Sequence, residues 1–327
     1  MDETLNSHAR DQLLQRRRRL EAVRAGEPDQ VEHLIGQVDA ALERIEAGTF
    51  GLCRECHEPI EPERLLADPL IEFCLDHLTP RQQRALQEDI ELAGRIQGAL
   101  LPPPELTLPG WFATYHYEGF GPVSGDFCDL VPAGDGGFYF FLGDVAGKGI
   151  AASILVAHLH ATLRALVTMG LPLPHLVERA SRSLCEHTLP THFATLVSGR
   201  AHTDGSVTLC NAGQVPPLLL RDGTVTSLPA TGLPLGVFCD EQFTEHRLDL
   251  RSGDALLLCS DGLVEARNAD GHEYGLDRLS RLAASLDPLP PAKWLETCRR
   301  DWLVFRAGAP KTDDVSLMVI GRLADSV

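Results

Sequence analysis

Residues Phe138–Gly149 read FYFFLGDVAGKG. An apolar run ends in an acid, Asp144, glycines follow at once, and an apolar helical pattern continues from Ile150 to Leu166. This pattern predicts a buried strand, a tight turn and a helix, with the strand delivering a carboxylate to a sheet edge. A carboxylate held there is costly unless something pairs with it, and a metal ion is the natural partner. Three further acids at strand ends or turns can complete such a site: Asp126 in VSGD, Asp261 in CSDG and Asp313 in KTDD. The acids share a local form, an apolar strand, then Asp, then Gly or another small residue; Asp313-Asp314 precedes a strand instead. Taken singly, an Asp-Gly is a turn signal, and Asp135, Asp204, Asp222 and Asp270 are read as turns only.

Oxygen ligands without His or Cys favour a hard cation, Mg2+ or Mn2+. Two such ions about 3.5–4 Å apart can lower the pKa of a shared water and aim it at a phosphoryl group. The glycine turn is not a nucleotide-binding P-loop, because Leu142 stands where that motif needs Gly and Gly149 where it needs Ser or Thr. His158 and His160 lack partners at metal spacing and are read as packed or surface histidines.

At 327 residues the chain is long for one domain, and its 44% hydrophobic content suffices for a sizeable core. A net charge of −17 argues against a general nucleic-acid binder, although Arg16–Arg19 form a local basic patch. No stretch is read as approaching the roughly 20 apolar residues of a membrane span, and the polar N-terminus does not resemble a signal peptide. The expectation is a cytoplasmic protein with no membrane partner. Nine cysteines is an odd count for a disulfide framework. Cys53, Cys56 and Cys74 cluster with His77, and the others are expected to be reduced thiols.

Four segments are expected. Residues 1–48 read as a helical hairpin: a polar helix over about 2–25, a break at Gly26-Glu27-Pro28, and a second helix to about Ala47. Val31, Leu34, Ile35, Val38, Leu42 and Ile45 share a face of that second helix. Residues 49–79 carry Cys53-x2-Cys56 and Cys74-x2-His77, two knuckles at the spacing of a structural zinc site. Four protein ligands leave no open position, so this zinc is structural; His57, beside Cys56, is sterically awkward as a ligand. Residues 80–104 form a linker helix, with Thr79 as N-cap and Pro80 at the first helical position. Its seam of Leu86, Ile90, Ala93 and Gln97 or Leu100 suits a homodimeric coiled coil over 80–101. Residues 105–327 alternate hairpins with paired helices, an α+β layered fold.

Two resemblances sharpen this reading. ALERIEAGTFGLCRECHEPIEPERLLADPLIEFC resembles the zinc-finger end of the DksA/TraR family, in which a helical hairpin precedes a four-ligand finger and some members act in the secondary channel of RNA polymerase. His77 replaces the commoner fourth Cys. GPVSGDFCDL, FLGDVAGKGIAASILVAHL, TLCNAGQVPPLLL, TGLPLGVF, ALLLCSDGLVEARNADGHEYG and TDDVSLMVI resemble, in order, the blocks of the metal-dependent PPM phosphatases, and among them the SpoIIE/RsbU-like serine phosphatases. The likeness covers about residues 91–322.

The second resemblance implies an α-β-β-α sandwich holding two Mn2+ or Mg2+ ions through Asp126, Asp144, the carbonyl of Val145, Asp261 and Asp313. Asp314 is the weaker ligand of its pair, and Asp129 would act through water. Ser124 and Cys128 depart from the bacterial pattern at positions that are not ligands. The implied activity is that of a serine/threonine protein phosphatase using metal-activated water. Its substrate would be a phosphorylated anti-sigma-factor antagonist in a partner-switching pathway. The alternative is a zinc-finger regulatory protein, associated with RNA polymerase, on a degenerate phosphatase scaffold.

Overall fold

The computed structural model describes residues 3–23, 28–77, 80–189, 192–286, 290 and 293–324. They form two compact units, Met1–Glu88 and Asp89–Val327.

In the first unit, α1 (Glu3–Val23) and α2 (Pro28–Glu46) lie side by side. The pairs Arg10–Glu46 at 4.0 Å and Arg17–Asp39 at 3.0 Å run in opposite sequence directions, so the helices are antiparallel. Leu13 packs with Val38 and Ala41 between them. The break expected at residues 26–28 falls largely outside the described residues, as do the Thr79 cap and the side chain of Val31. After α2 the chain makes a short helix, α3 (Pro62–Ala67), with Pro62 in its first turn where a missing N–H costs nothing. A second small core gathers Phe50, Ile60 and Leu65 around Cys53 and Cys74.

The helix α4 (Pro80–Gly98) contributes its residues from Asp89 onward to the second unit. There, β1 (Glu105–Leu108), β2 (Trp111–Glu118), β7 (Leu218–Arg221), β8 (Thr224–Ser227), β10 (Ala255–Cys259) and β11 (Val315–Arg322) build a six-stranded sheet in the order β1-β2-β11-β10-β7-β8. A five-stranded sheet, in the order β3-β4-β5-β6-β9, takes β3 (Asp126–Pro132), β4 (Phe138–Val145), β5 (Ala194–Ala201), β6 (Ser206–Ala212) and β9 (His246–Asp249). Each ladder between these strands is antiparallel.

The residues alternate faces along each strand, and three cores follow from that alternation. Phe138, Phe140 and Leu142 of β4 face the inter-sheet core with Cys128, Leu256, Leu258, Met318 and Ile320. Tyr139 and Phe141 face the other way, onto α5 (Gly149–Val167) and α6 (Leu173–His187). On the far side, α8 (Leu276–Ala284) and α9 (Trp294–Arg306) cover the six-stranded sheet through Leu279, Trp294, Cys298 and Trp302. The result is the α-β-β-α sandwich expected from the sequence.

The β3–β4 hairpin sets the site. Its turn is closed by the Gly137 carbonyl accepting from Ala133 N–H at 2.8 Å and the Ala133 carbonyl accepting from Gly136 N–H at 3.2 Å. Pairing then runs without a break from Pro132↔Phe138 to Asp126↔Asp144. Two glycines make room for this packing: a Cβ on Gly143 would collide with the Phe127 ring across the strand pair, and one on Gly199 with the Phe140 ring.

Several expectations are corrected. Asp126 opens its strand and does not follow one; Asp261 does follow a strand, β10, as expected, and begins a short helical turn, α7 (Asp261–Val264). The sequence reading missed β1, an edge strand of half-exposed residues behind a proline run, whose alternation is too short to stand out. By length and composition Gly149–Val167 is apolar enough to cross a membrane, contrary to the expectation for every stretch. It lays Ala152, Val156, Leu159 and Leu163 into the sheet-covering core, the use a core helix makes of such residues. Cys185 and Cys239 are joined in a disulfide, with Cα atoms 5.4 Å apart. The 54-residue separation hid that pairing, which the fold creates by bringing the end of α6 to the loop holding Gly236, where Gly236 N–H donates to Ser181 Oγ at 3.2 Å.

Candidate active site

The four acids of the sequence reading reach one end of the two sheets. Asp126 and Asp144 stand opposite each other in register on β3 and β4. Asp126 is buried and crosses to the other sheet: its Oδ2 accepts from Ser260 Oγ at 2.8 Å and from Ser316 Oγ at 2.7 Å. Ser260 and Ser316 were missed from sequence; the only signal was closeness, one residue from Asp261 in CSDG and two from Asp314 in DDVS. Burial, and after it the charge of Asp144, push the Asp126 carboxyl well above its usual range, against those two hydroxyls. Burial and then Asp261, Asp313 and Asp314 raise Asp144 to about 7, with Lys148 pulling the other way. Asp261 is also raised, by burial and then by Asp313.

Asp313 and Asp314 divide their duties. Asp314 accepts from Phe120 N–H at 2.5 Å and from Gly125 N–H at 2.8 Å, so its carboxylate is committed to holding the 119–125 segment. Asp313 faces Lys148, whose Nζ lies 3.0 Å from its Oδ2. The α7 turn can approach because residue 262 is glycine; a Cβ there would strike the Asp314 carbonyl. Gln97, at the end of α4, donates from Nε2 to the Ser124 carbonyl at 2.7 Å and accepts Ser124 N–H at 2.9 Å. It therefore braces the residue two before Asp126, which leaves Leu100 as the other candidate for the last seam position.

Asp129 is not part of this group. Three residues from Asp126, it points to the opposite face of β3. There Arg164 of α5 grips it at 2.7 and 2.8 Å, and His160 Nε2 lies 3.1 Å away. Burial alone would raise this carboxyl, but His160 and Arg164 hold it below its ordinary value. The expected water-mediated role gives way to an ion pair between the buried Asp129 and the half-exposed Arg164 that ties α5 to β3, and His160 is thereby a packed histidine, as read.

The residues fit a hard cation. The donor set is all oxygen, and the raised carboxyls show acids crowded together without sufficient counter-charge. Gly125 leaves a cradle: a Cβ there would sit 2.9 Å from the Val145 carbonyl oxygen and 3.1 Å from Asp144 Oδ1. Gly125→Ala is therefore expected to weaken Mn2+ binding roughly tenfold or more by calorimetry, the scale of lost support around a metal. Unchanged Mn2+ affinity would remove the cradle from the site.

A different cluster lies in the first unit. The ligand atoms of Cys53, Cys56, Cys74 and His77 all fall within 4.8 Å of one another, the one His/Cys/Asp/Glu group so tightly drawn among the described residues. Cys56 Sγ lies 3.8 Å from Cys74 Sγ, and Cys74 Sγ 3.2 Å from His77 Nδ1. A zinc tetrahedron with Zn–S near 2.3 Å has edges of about 3.8 Å, so the set fits zinc. Burial would raise the Cys53 thiol, but backbone N–H groups of Cys56, Cys74 and Glu55 bring it down to about 6, toward the thiolate a metal needs. His57, at φ 58°, is the left-handed residue of the first knuckle and stays outside the set. The four acids are not drawn together that tightly.

Two antiparallel sheets between helix pairs, with acids converging at one end, define a PP2C-type phosphatase fold. The SiaA PP2C domain of Pseudomonas aeruginosa superposes with a TM-score of 0.65 at 17% identity, covering 75% of this chain and 98% of that one. The RsbU and RsbW domains of a Mycobacterium tuberculosis protein superpose at 0.59 with 27% identity, covering 69% and 64%. Residues 134–323 match the family of stage II sporulation protein E (SpoIIE), and the chain belongs to it. Residues 48–76 match the prokaryotic dksA/traR C4-type zinc finger. Among curated relatives, phosphoserine phosphatase RsbU of Bacillus subtilis is 26% identical over 204 residues, and protein IcfG of Synechocystis 24% over 264. The chain spans 59% and 41% of their respective lengths, and 60% and 72% of its own length is matched.

Proposed function

We propose that the chain is a divalent-cation-dependent protein phosphatase acting on phosphoserine or phosphothreonine. One observation carries this reading: Asp126 and Asp144 face each other in register, and the Asp261 and Asp313 segments close on them from the other sheet. Asp126, Asp144, Asp261, Asp313 and the Val145 carbonyl would hold two Mn2+ or Mg2+ ions. Bound there, such ions supply Lewis acidity, activate water and neutralise charge that develops on phosphorus.

The chain's own residues prepare that chemistry. Ser260 and Ser316 fix the Asp126 carboxylate and satisfy its buried oxygen. Asp314 pins the backbone of Gly125, keeping the cradle beside Val145 in shape. The intact set of acids speaks against a degenerate scaffold. RsbU and RsbP of Bacillus subtilis are named phosphoserine phosphatases, which supports a phosphoserine protein as substrate, and by family analogy an anti-sigma-factor antagonist in partner switching. The Cys53, Cys56, Cys74 and His77 set would hold one structural zinc.

The test is phosphate release by the full chain from a phosphoserine protein during a Mn2+ titration. Release is expected to rise from background and saturate with Mn2+, and Mg2+ should substitute. Release that is equally fast without either ion, or absent at every concentration, would refute the proposal.

A further inference from the structure

The rim of the acid cluster carries a cation to which the chemistry above gives no task. Lys148 sits between Gly147 and Gly149, whose φ angles of 112° and 75° make the sharp turn ahead of α5. Its Nζ donates to the Thr312 carbonyl at 2.9 Å and to Asp313 Oδ2 at 3.0 Å. The same ammonium stands 5.4 Å from the centroid of the Phe120 ring, and Phe120 is itself held by Asp314 through its N–H. Three segments far apart in sequence therefore fix where this charge stands. An ammonium has three donors; two are committed here, and the side chain is 57% exposed. Lys148 is also the cation that opposes the rise of both Asp144 and Asp261.

Charge balance points to its use. Asp126, Asp144, Asp261, Asp313 and Asp314 carry five negative charges when ionised and two divalent cations supply four positive ones, so an entering phosphomonoester dianion brings negative charge that those groups leave unbalanced. A lysine serves well as a point charge for phosphate, and this one stands at the mouth of the site with a donor to spare. We propose that Lys148 binds the phosphoryl group of the substrate, donating its uncommitted N–H to an oxygen that takes no part in bond breaking. The proposal rests on the phosphatase reading for its substrate. The rival is a lysine that only fastens the 312–313 segment to the start of α5.

The experiment uses the full chain loaded with Mn2+ and inorganic phosphate as the probe. Phosphate affinity is measured by calorimetry for the wild type, Lys148→Ala, Lys148→Met and Lys148→Arg, alongside kcat and KM on a phosphoserine peptide. The dissociation constant for phosphate and the KM are expected to rise together, roughly tenfold or more, in Lys148→Ala and Lys148→Met, the scale of a lost charge-assisted hydrogen bond. Lys148→Arg should recover most of the loss, while kcat stays within about threefold and Mn2+ binds as tightly as before or more so. Unchanged phosphate affinity, or a loss explained by weaker Mn2+ binding, would overturn the proposal. Phosphate binding is read without turnover. A chain that binds phosphate through Lys148 yet releases none from phosphoserine would therefore support this inference and sink the phosphatase reading.

Discussion

Asp144→Asn and Asp261→Asn are each expected to lower Mn2+-dependent phosphate release by roughly three orders of magnitude, because each removes a charge that the ions and the transition state depend on. Both variants should fold. Asp144 is crowded by burial and by Asp261, Asp313 and Asp314, so a neutral amide relieves repulsion when no cation is bound. The melting temperature of Asp144→Asn without Mn2+ should therefore equal or exceed that of the wild type. Activity and stability then move in opposite directions, which a misfolded variant cannot mimic. Full activity in either variant would refute the assigned role of that acid.

Withdrawal of zinc is expected to have the largest effect on the first unit. The small core around Phe50, Ile60 and Leu65 includes two of the ligand cysteines, Cys53 and Cys74. A core of that size cannot hold itself together; apparent zinc-binding energies in comparable fingers are about 10–16 kcal/mol at neutral pH, and they serve as folding energy. Cys74→Ser, or treatment with a zinc chelator, should abolish the stoichiometric zinc and expose the segment from Phe50 to Phe73 to trypsin at Arg54 and Arg64. Unchanged protection in a zinc-free sample would show that the knuckles fold without the metal.

What the sequence disclosed follows from how local each feature is. The place of Asp144 at a strand end was legible because its strand, its acid and its glycines are contiguous, and the Cys/His cluster because two of its members share each turn. The sandwich was legible from hairpins alternating with helix pairs. By contrast, the hydroxyls that hold Asp126 lie 134 and 190 residues away from it, and the nearby Asp261 and Asp314 do not by themselves single out Ser260 or Ser316 until two sheets stack. Asp129 misled for the same reason: motif position placed it three residues from the proposed ligand Asp126, whereas strand alternation turned it toward Arg164. The Cys185–Cys239 bond needs the fold before either partner can be named. Lys148 was in plain view within the opening stretch, but its task depends on Phe120 and Asp313, which only the assembled site brings near.

The β3–β4 turn has a consequence of a different kind. Residues 134–136 are exposed and polar and look like a permissive loop. They lie about 20 Å from the acids, at roughly 3.4 Å for each strand residue. Yet the turn sets the count between Asp126 and Asp144, and a pairing that slips by one position sends a side chain to the opposite face. The hairpin works as a caliper whose jaws are two carboxylates and whose hinge is this distant turn. Gly136 at φ 87° and Asp135, which accepts from Gly137 N–H and pairs with Arg200, hold the turn in shape, and a single insertion or deletion would open the jaws.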